Sequence, residues 1–425
     1  MTTSDPDIVI VGAGAAGIGA SRRLSGHGYS ITIIEQLPRA GGRAWTYATS
    51  AGPVDLGCGW LHSADRNPWT RIAAELGFTV DRRITAWGEQ FKNLGFPSKD
   101  RAAARNAFAQ WNEEIRNNIA ASDCAADALD PNSPWTPYLQ ALSGYISGDE
   151  LEHISVRDYV AYDDASTDNN WRVPDGYGHL ITSALLSDAE LRLGTALESL
   201  DLSEQKIVLQ TSAGTIRTRA VIFTVSSNVL AGGAINLPSV LDPWLQAASL
   251  LPLGNNEKLY LEILDGGPFE DETHVLGNPR DSATGAYYIR PFGKRVLECF
   301  LGGAGARASS AMGCEAAFDH AINELAGLFG SSVRKYLKPL AASNWAGTPS
   351  IGGGYSHALP GYADARLQLA RSFDGRIFFA GEATHTTDFS TAHGAYDSGQ
   401  RAADEAISSL ANSGRSGLIL AGSKE

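Results

Sequence analysis

Glycines at positions 12, 14 and 17 do chemistry by lacking a side chain. In that spacing Gly12 permits a tight turn, Gly14 lets the backbone approach a pyrophosphate, and Gly17 lets a following helix lie close to the preceding strand. Ala16 falls among the first amides of that helix, whose N-terminus faces the phosphate charge. Glu35, roughly 20 residues downstream, is placed to accept hydrogen bonds from the hydroxyls of an adenosine ribose. Directly after it comes Arg39-Ala40-Gly41-Gly42-Arg43, which folds back over the pyrophosphate. Gly41 and Gly42 allow close backbone approach, and Arg43 supplies a charge-assisted bond. The chemistry is dinucleotide binding, and the first glycine signature by itself leaves NAD and FAD open.

The elements that must position these residues are written in the pattern. Ile8–Val11 is a β-branched apolar run, as a parallel strand buried on both faces requires. Residues 15–24 read as a helix with Ile18, Ala20 and Leu24 on its apolar stripe, ended by Gly26 and Gly28. Residues 30–34 form a second strand with Glu35 at its end. Further on, 191–197, 206–210, 215–219 and 220–225 read as strands, with Ala213-Gly214 as a turn. Lys258 begins a strand of alternating character, with Leu259, Leu261 and Ile263 on one face and Tyr260 and Glu262 on the other. Residues 257–302 alternate as strands. Helical spacing marks 101–120 (Ala104, Phe108, Trp111, Ile115, Ile119), 135–147, 156–162 and 314–329, and 123–133 reads as a surface loop.

The chain has 425 residues, 43% hydrophobic and 19% charged, with a net charge of -13. That length and composition support two or three globular units rather than disorder. The acidic balance excludes a nucleic-acid partner, which wants a basic face, and mildly attracts a cationic substrate. Cys58, Cys124, Cys299 and Cys314 show neither a disulfide framework nor a zinc spacing. No metal is expected. No apolar run approaches a membrane span, and no basic-then-apolar leader precedes the first strand, so a soluble, cytoplasmic protein is expected.

The placement of the Arg39–Arg43 segment resembles the second fingerprint of the FAD-dependent amine oxidase family, which includes monoamine and polyamine oxidases. Other stretches carry the resemblance across the chain. Val54-Asp55-Leu56-Gly57-Cys58-Gly59-Trp60-Leu61-His62 is similar to the family's segment beside the isoalloxazine ring. It implies Gly59 and Trp60 at the flavin, with Trp60 and His62 facing the catalytic cavity; whether His62 acts in catalysis or only structurally stays open. Leu197 falls where the family holds the adenine through backbone. Lys258 falls where a lysine hydrogen-bonds through water to flavin N5. Trp345, Pro349, Gly352-Gly353-Gly354-Tyr355-Ser356 and Pro360-Gly361 match a segment whose tyrosine, here Tyr355, walls the substrate cage. Ala380-Gly381-Glu382-Ala383-Thr384 and 391–403 resemble the family's closing strand and helix. Gly381 and Glu382 then lie by the ribityl and phosphate region, and Ala392 opens a helix aimed at the flavin's N1/O2 edge.

The resemblance implies an α/β protein in which a Rossmann-like FAD-binding domain of the glutathione-reductase type is interleaved with an α+β substrate-binding domain. The expected boundaries are 1–78, 181–248 and 349–425 for the FAD-binding parts, and 79–180 and 249–348 for the substrate domain. It implies hydride transfer from an amine to FAD and reoxidation by dioxygen, or by another acceptor, with hydrogen peroxide as product. Gly354 stands where the monoamine oxidases carry their flavin-linking cysteine, so the FAD is expected to be non-covalent. Thr391 stands where an aromatic second cage wall is usual, which opens the cavity to a bulkier, polar or cyclic amine. An L-amino acid oxidase, needing a buried arginine such as Arg172 or Arg290 for the carboxylate, is an alternative. So are an FAD-dependent desaturase or dehydrogenase and a non-catalytic flavin-binding protein.

Overall fold

The computed structural model describes residues 5–117 and 122–421, which form two compact units. The first draws on the chain up to Ala44, Ile181–Leu251 and the part beyond Asp364. The second comprises Trp45–Leu180 and Pro252–Ala363.

The first unit is built on a parallel sheet with Ile8–Val11 at its centre. Ala220–Phe223 and Ile31–Ile34 flank it, and Ile377–Phe379 and Glu190–Arg192 lie outside them. Every residue of the three inner strands is buried, which explains why Ile8–Val11 and Ala220–Phe223 read as unbroken apolar runs; in Ile31–Ile34 only Thr32 interrupts the run. Helix Ala15–Leu24 follows the first strand. A Cβ on Gly17 would stand 2.0 Å from the Gly12 carbonyl oxygen, so only glycine lets the helix sit this near the turn. Helix Ala392–Ala421 packs along it at close range; a Cβ on Gly399 would fall 2.0 Å from the Ala16 carbonyl oxygen. An antiparallel layer of Leu197–Asp201, Ile207–Thr211 and Gly214–Thr218 completes this unit's sheets. The single strand expected over 191–197 is thus two pieces in two sheets. Gly194, at φ +64°, turns the chain between them.

The second unit carries an antiparallel sheet in the order Thr273–Leu276, Ala286–Ile289, Val296–Gly302, Asn256–Ile263, Leu337–Ala342. Leu259, Leu261, Ile263, Tyr287, Leu297 and Leu301 meet the helix Cys314–Phe329 in one core. Asn256–Ile263 is buried along its whole length. Its alternation therefore distinguishes two buried surroundings rather than core from solvent. Helix Ser98–Asn117 buries Ala104, Trp111 and Ile115; the expected end at Ile119 and Ala120 lies outside the described residues. Helix Val156–Ala165, capped by the Ser155 hydroxyl, runs past its expected end.

Three of the expected boundaries differ from these units, the one after 248 by only three residues, since the first unit runs to Leu251. Residues 45–78 belong to the second unit because the hairpin Thr46–Thr49/Gly52–Asp55 is tied there. The Asp55 carboxylate accepts from the N–H groups of Tyr177 and Gly178, and Leu61 bridges to Trp171. Residues 349–363 belong there too: Leu253 bridges Ser356, and the Ala358 N–H donates to Asp158.

Candidate active site

In the first unit the residues read as a dinucleotide cradle come together. Gly14, at the N-cap of helix Ala15–Leu24, offers no side chain, and no acidic residue occupies the first turn. The helix end is therefore neither capped nor neutralised by side chains, and its partial positive charge is available to an anion. Gly41 bridges to Gly14 and its N–H donates to Ala13, laying the second glycine segment beside the first. The Glu35 carboxylate, buried at the end of its strand, accepts from the N–H groups of Ala13 and Leu37 at 2.9 and 2.8 Å. Each of its oxygens keeps lone-pair capacity for a ribose hydroxyl.

Nη1 of Arg43 lies 2.9 Å from Oε1 of Glu382, whose side chain is only 5% exposed. The Ser390 N–H donates to the other Glu382 oxygen. A pocket opens here, lined by Arg43, Val225, Ser227, Gly381, Glu382 and Thr384. The buried Ser227 hydroxyl has no hydrogen-bond partner among the described residues. An unsatisfied buried hydroxyl beside a glycine turn fits a polar cofactor group better than empty packing. The cradle, cavity and orphaned hydroxyl together fit FAD. Leu197 opens its strand opposite Thr211 and is buried. Thr391, expected to leave the cavity open where an aromatic wall is usual, spends its hydroxyl on the helix that Ala392 begins: it accepts from the Gly394 N–H at 3.0 Å and donates to the Asp388 carbonyl.

In the second unit Lys258 is 7% exposed. Its Nζ lies 3.0 Å from Oε1 of Glu298 and 3.2 Å from the Asp55 carbonyl oxygen. Gly59 passes so close that a Cβ there would stand 3.2 Å from that Nζ. The Tyr260 hydroxyl is 2.9 Å from both the Asp55 carbonyl and Oε2 of Glu298. Burial, with Glu298 and Asp55 nearby, holds the Tyr260 hydroxyl far above the usual phenol range. Burial likewise raises the Asp55 carboxyl, although the Thr46 hydroxyl, the Tyr177 and Gly178 N–H groups and the Lys258 charge pull it down.

Trp60 stands in an aromatic group of the same unit. Trp87 packs on it at 4.3 Å and Tyr288 meets it edge-on at 6.0 Å. The His62 ring lies 5.9 Å from Trp87, and its Nδ1 is 2.7 Å from Oδ1 of Asn170. The Arg172 guanidinium lies over Trp60, Tyr288 and Phe292 at 5.1, 5.1 and 4.3 Å. Its Nη2 bridges Asp81 and Glu272, each at 2.9 Å. Arg290, the other candidate carboxylate holder, is paired with Asp271 at 2.6 Å. Tyr355 donates its hydroxyl to the Tyr145 carbonyl, and burial pushes that phenol well up.

Glu298, Tyr260, Trp87 and Tyr288 were not singled out by sequence as site residues. The strand register Tyr260↔Glu298 is what brings the first two to Lys258, and nothing in local spacing marks it.

Residues 133–407 match the family model described as flavin containing amine oxidoreductase, and residues 10–76 match a NAD(P)-binding Rossmann-like domain. The chain is 25% identical to polyamine oxidase 4 of Oryza sativa subsp. japonica, over 95% of this chain and 88% of that protein. It is 24% identical to polyamine oxidase 2 of Arabidopsis thaliana, over 95% of this chain and 89% of the relative. Human lysine-specific histone demethylase 2 is 23% identical over 94% of this chain, which spans 53% of that protein. Among solved structures, wild-type putrescine oxidase bound to putrescine superposes with a TM-score of 0.75 at 18% identity, over 95% of this chain and 99% of that one. That likeness concerns the fold.

Proposed function

This chain belongs to the flavin-containing amine oxidoreductases and is an FAD-dependent oxidoreductase acting on amine donors; we propose that it is an oxidase that removes hydride from the carbon next to the amine nitrogen and passes the electrons to dioxygen. The products are an imine, which water hydrolyses, and hydrogen peroxide. Bound FAD would supply the two-electron acceptor for that hydride.

The chain's own residues have distinct tasks in this reading. Gly12, Gly14, Ala16 and Gly17 present backbone and the helix end to the pyrophosphate, and Glu35 takes the ribose hydroxyls. Gly42 and Arg43 close over the phosphates, while Leu197, Gly381, Glu382 and Ala392 hold the adenine, ribityl and ring portions. Gly354 has no side chain to form a bond to the ring, so the FAD is held without one. Gly59 and Trp60 pass beside the ring. Trp60 and Tyr355 wall the amine, exclude water and attract the substrate to their π faces. Trp87 and Tyr288 extend that wall. His62 faces the amine, Thr391 secures the start of the helix that Ala392 opens, and Lys258 directs an N–H donor toward the reacting region. No disulfide is found among the described residues, and we propose a cytoplasmic enzyme. Among the described residues no helix is long and apolar enough to cross a membrane.

The observation that carries this reading is the Lys258 ammonium, buried in an ion pair with Glu298. Holding FAD requires no such group, whereas redox chemistry with proton demand does. An α-amino acid is the less favoured donor, because Arg290 and Nη2 of Arg172 already have carboxylate partners, which leaves only the buried Nη1 of Arg172 without a hydrogen-bond partner among the described residues. The names of the relatives put polyamines and putrescine first among amines to try. The test is anaerobic mixing of the FAD-loaded protein with primary, secondary, cyclic and polyamines, followed at the flavin absorbance. Rapid bleaching by an amine supports an amine oxidase; bleaching by α-amino acids alone, or by no donor, overturns it.

A further inference from the structure

A lysine ammonium carries three N–H donors, and the fold commits two of those on Lys258. One goes to Oε1 of Glu298 at 3.0 Å and one to the Asp55 carbonyl at 3.2 Å. These anchors fix Nζ and leave a single direction for the third donor. The Tyr260 hydroxyl touches the same two partners, 2.9 Å from Oε2 of Glu298 and 2.9 Å from the Asp55 carbonyl. The four groups form a closed ring.

A phenol has one hydrogen and gives it to one acceptor at a time. The two acceptors of Tyr260 match two protonation states of Glu298. With Glu298 ionised, Tyr260 turns its hydrogen to Oε2. With Glu298 protonated at Oε2, that O–H donates to the Tyr260 oxygen, and Tyr260 turns its own hydrogen to the Asp55 carbonyl. Both states leave every buried group satisfied. A purely structural ion pair needs only the first.

We infer that Glu298 is the proton partner of Lys258, with the Tyr260 hydroxyl as the rotor that accommodates the transfer, so that the pair relays protons from solvent to the reacting oxygen. The inference rests on the reading above that Lys258 serves the oxidation. Reduction of dioxygen to hydrogen peroxide consumes protons as well as electrons. One proton leaves Nζ through its third N–H, leaving a neutral amine. The Glu298 carboxylate, whose side chain is 19% exposed against 9% for Lys258, takes a proton from water at Oε2; half a turn of the carboxyl exchanges its oxygens, the neutral amine turns its lone pair to the protonated one, and the proton crosses the 3.0 Å contact to Nζ. One proton has then moved from solvent to the site, and no electrons move in the relay. Glu298 and Tyr260 are positioning and relay residues that act through Lys258.

The experiment separates the two half-reactions in FAD-loaded protein. Glu298→Gln slows reoxidation of the amine-reduced protein by oxygen about tenfold and changes the preceding reduction less than about twofold. Tyr260→Phe, which keeps the packing, slows reoxidation about threefold. The double variant Lys258→Met/Glu298→Gln is no slower than Lys258→Met alone, because the two act as a unit. A readout independent of turnover uses the flavin-free chain with 15N-labelled lysine. The Nζ resonance missing from Lys258→Met exchanges its hydrogens slowly in the wild type and faster in Glu298→Gln and Tyr260→Phe. A wild-type reoxidation rate in Glu298→Gln, a fully additive double variant, or unchanged Nζ exchange overturns the relay. A wild-type reoxidation rate in Lys258→Met overturns instead the parent reading of that lysine.

Discussion

Arg43 and Glu382, 339 residues apart in sequence, meet at 2.9 Å in the first unit. The pair explains how a buried carboxylate is tolerated where the cofactor's phosphates are expected: the guanidinium neutralises it. Arg43→Met therefore weakens FAD binding by about 10–100-fold and lowers the stability of the flavin-free chain by about 1–3 kcal/mol, the smaller end reflecting the partial exposure of Arg43. Arg43→Met/Glu382→Gln restores most of that stability and none of the affinity. Calorimetric FAD titration and thermal melts check both, and unchanged affinity in the single variant would refute the assignment.

Gly354 bears on how the flavin is held. A Cβ there would lie 2.8 Å from Oδ1 of Asn256 and 3.1 Å from its Cβ. Cold acid precipitation of the wild type is expected to leave the yellow colour in the supernatant. Gly354→Cys is expected to release its flavin likewise and to be less stable by about 1–3 kcal/mol from overpacking. Colour retained in the wild-type pellet would contradict this account.

The Arg172 guanidinium lies over Trp60, Tyr288 and Phe292 while its Nη2 joins Asp81 and Glu272. A lysine ammonium can bridge Asp81 and Glu272 as the single Nη2 does, but it has no planar face to stack on Trp60, Tyr288 and Phe292. Arg172→Lys should raise the KM for the best amine about tenfold with kcat altered less than about twofold. Steady-state kinetics decide it; a KM at the wild-type value would remove Arg172 from the wall's support.

Asp149 supplies a pH signature of stability. Burial raises its carboxyl, but hydrogen bonds from Glu150 and His153 and the nearby His357 carry it down to about 2. A depressed carboxyl stabilises the fold above its unfolded pKa, near 4, and loses that contribution as pH falls toward the folded value. Asp149→Asn should be less stable than wild type at pH 7, with the gap closing between about pH 4 and pH 2. A gap independent of pH in denaturant melts would show that the carboxylate charge contributes nothing.

The parts of this molecule readable from sequence are those whose cause is local. Ile8–Val11, Ala15–Leu24 and Cys314–Phe329 follow from apolar period and glycine stops, and their observed bounds coincide with the expected ones. The cradle from Gly12 to Arg43 is likewise contiguous. Lys258 was recognisable by its frame, but its partners were not: Glu298 arrives through strand register and Asp55 through a hairpin some 200 residues earlier. Arg172 was legible as a candidate buried arginine, whereas Asp81 and Glu272, 91 and 100 residues away, decide what it does. At Thr391 the analogy told only that the usual aromatic wall is missing; the capping of the helix beginning at Ala392 comes from contacts with Asp388 and Gly394 that the analogy does not supply.

The most direct trial of amine oxidation is an anaerobic single turnover of the FAD-loaded protein with its best amine, unlabelled and deuterated at the carbon next to nitrogen. The account predicts full bleaching of the flavin, one imine or its hydrolysis product per flavin, and bleaching slowed several-fold by deuterium. Flavin that stays oxidised under every amine, or product formed without loss of the flavin colour, would contradict it.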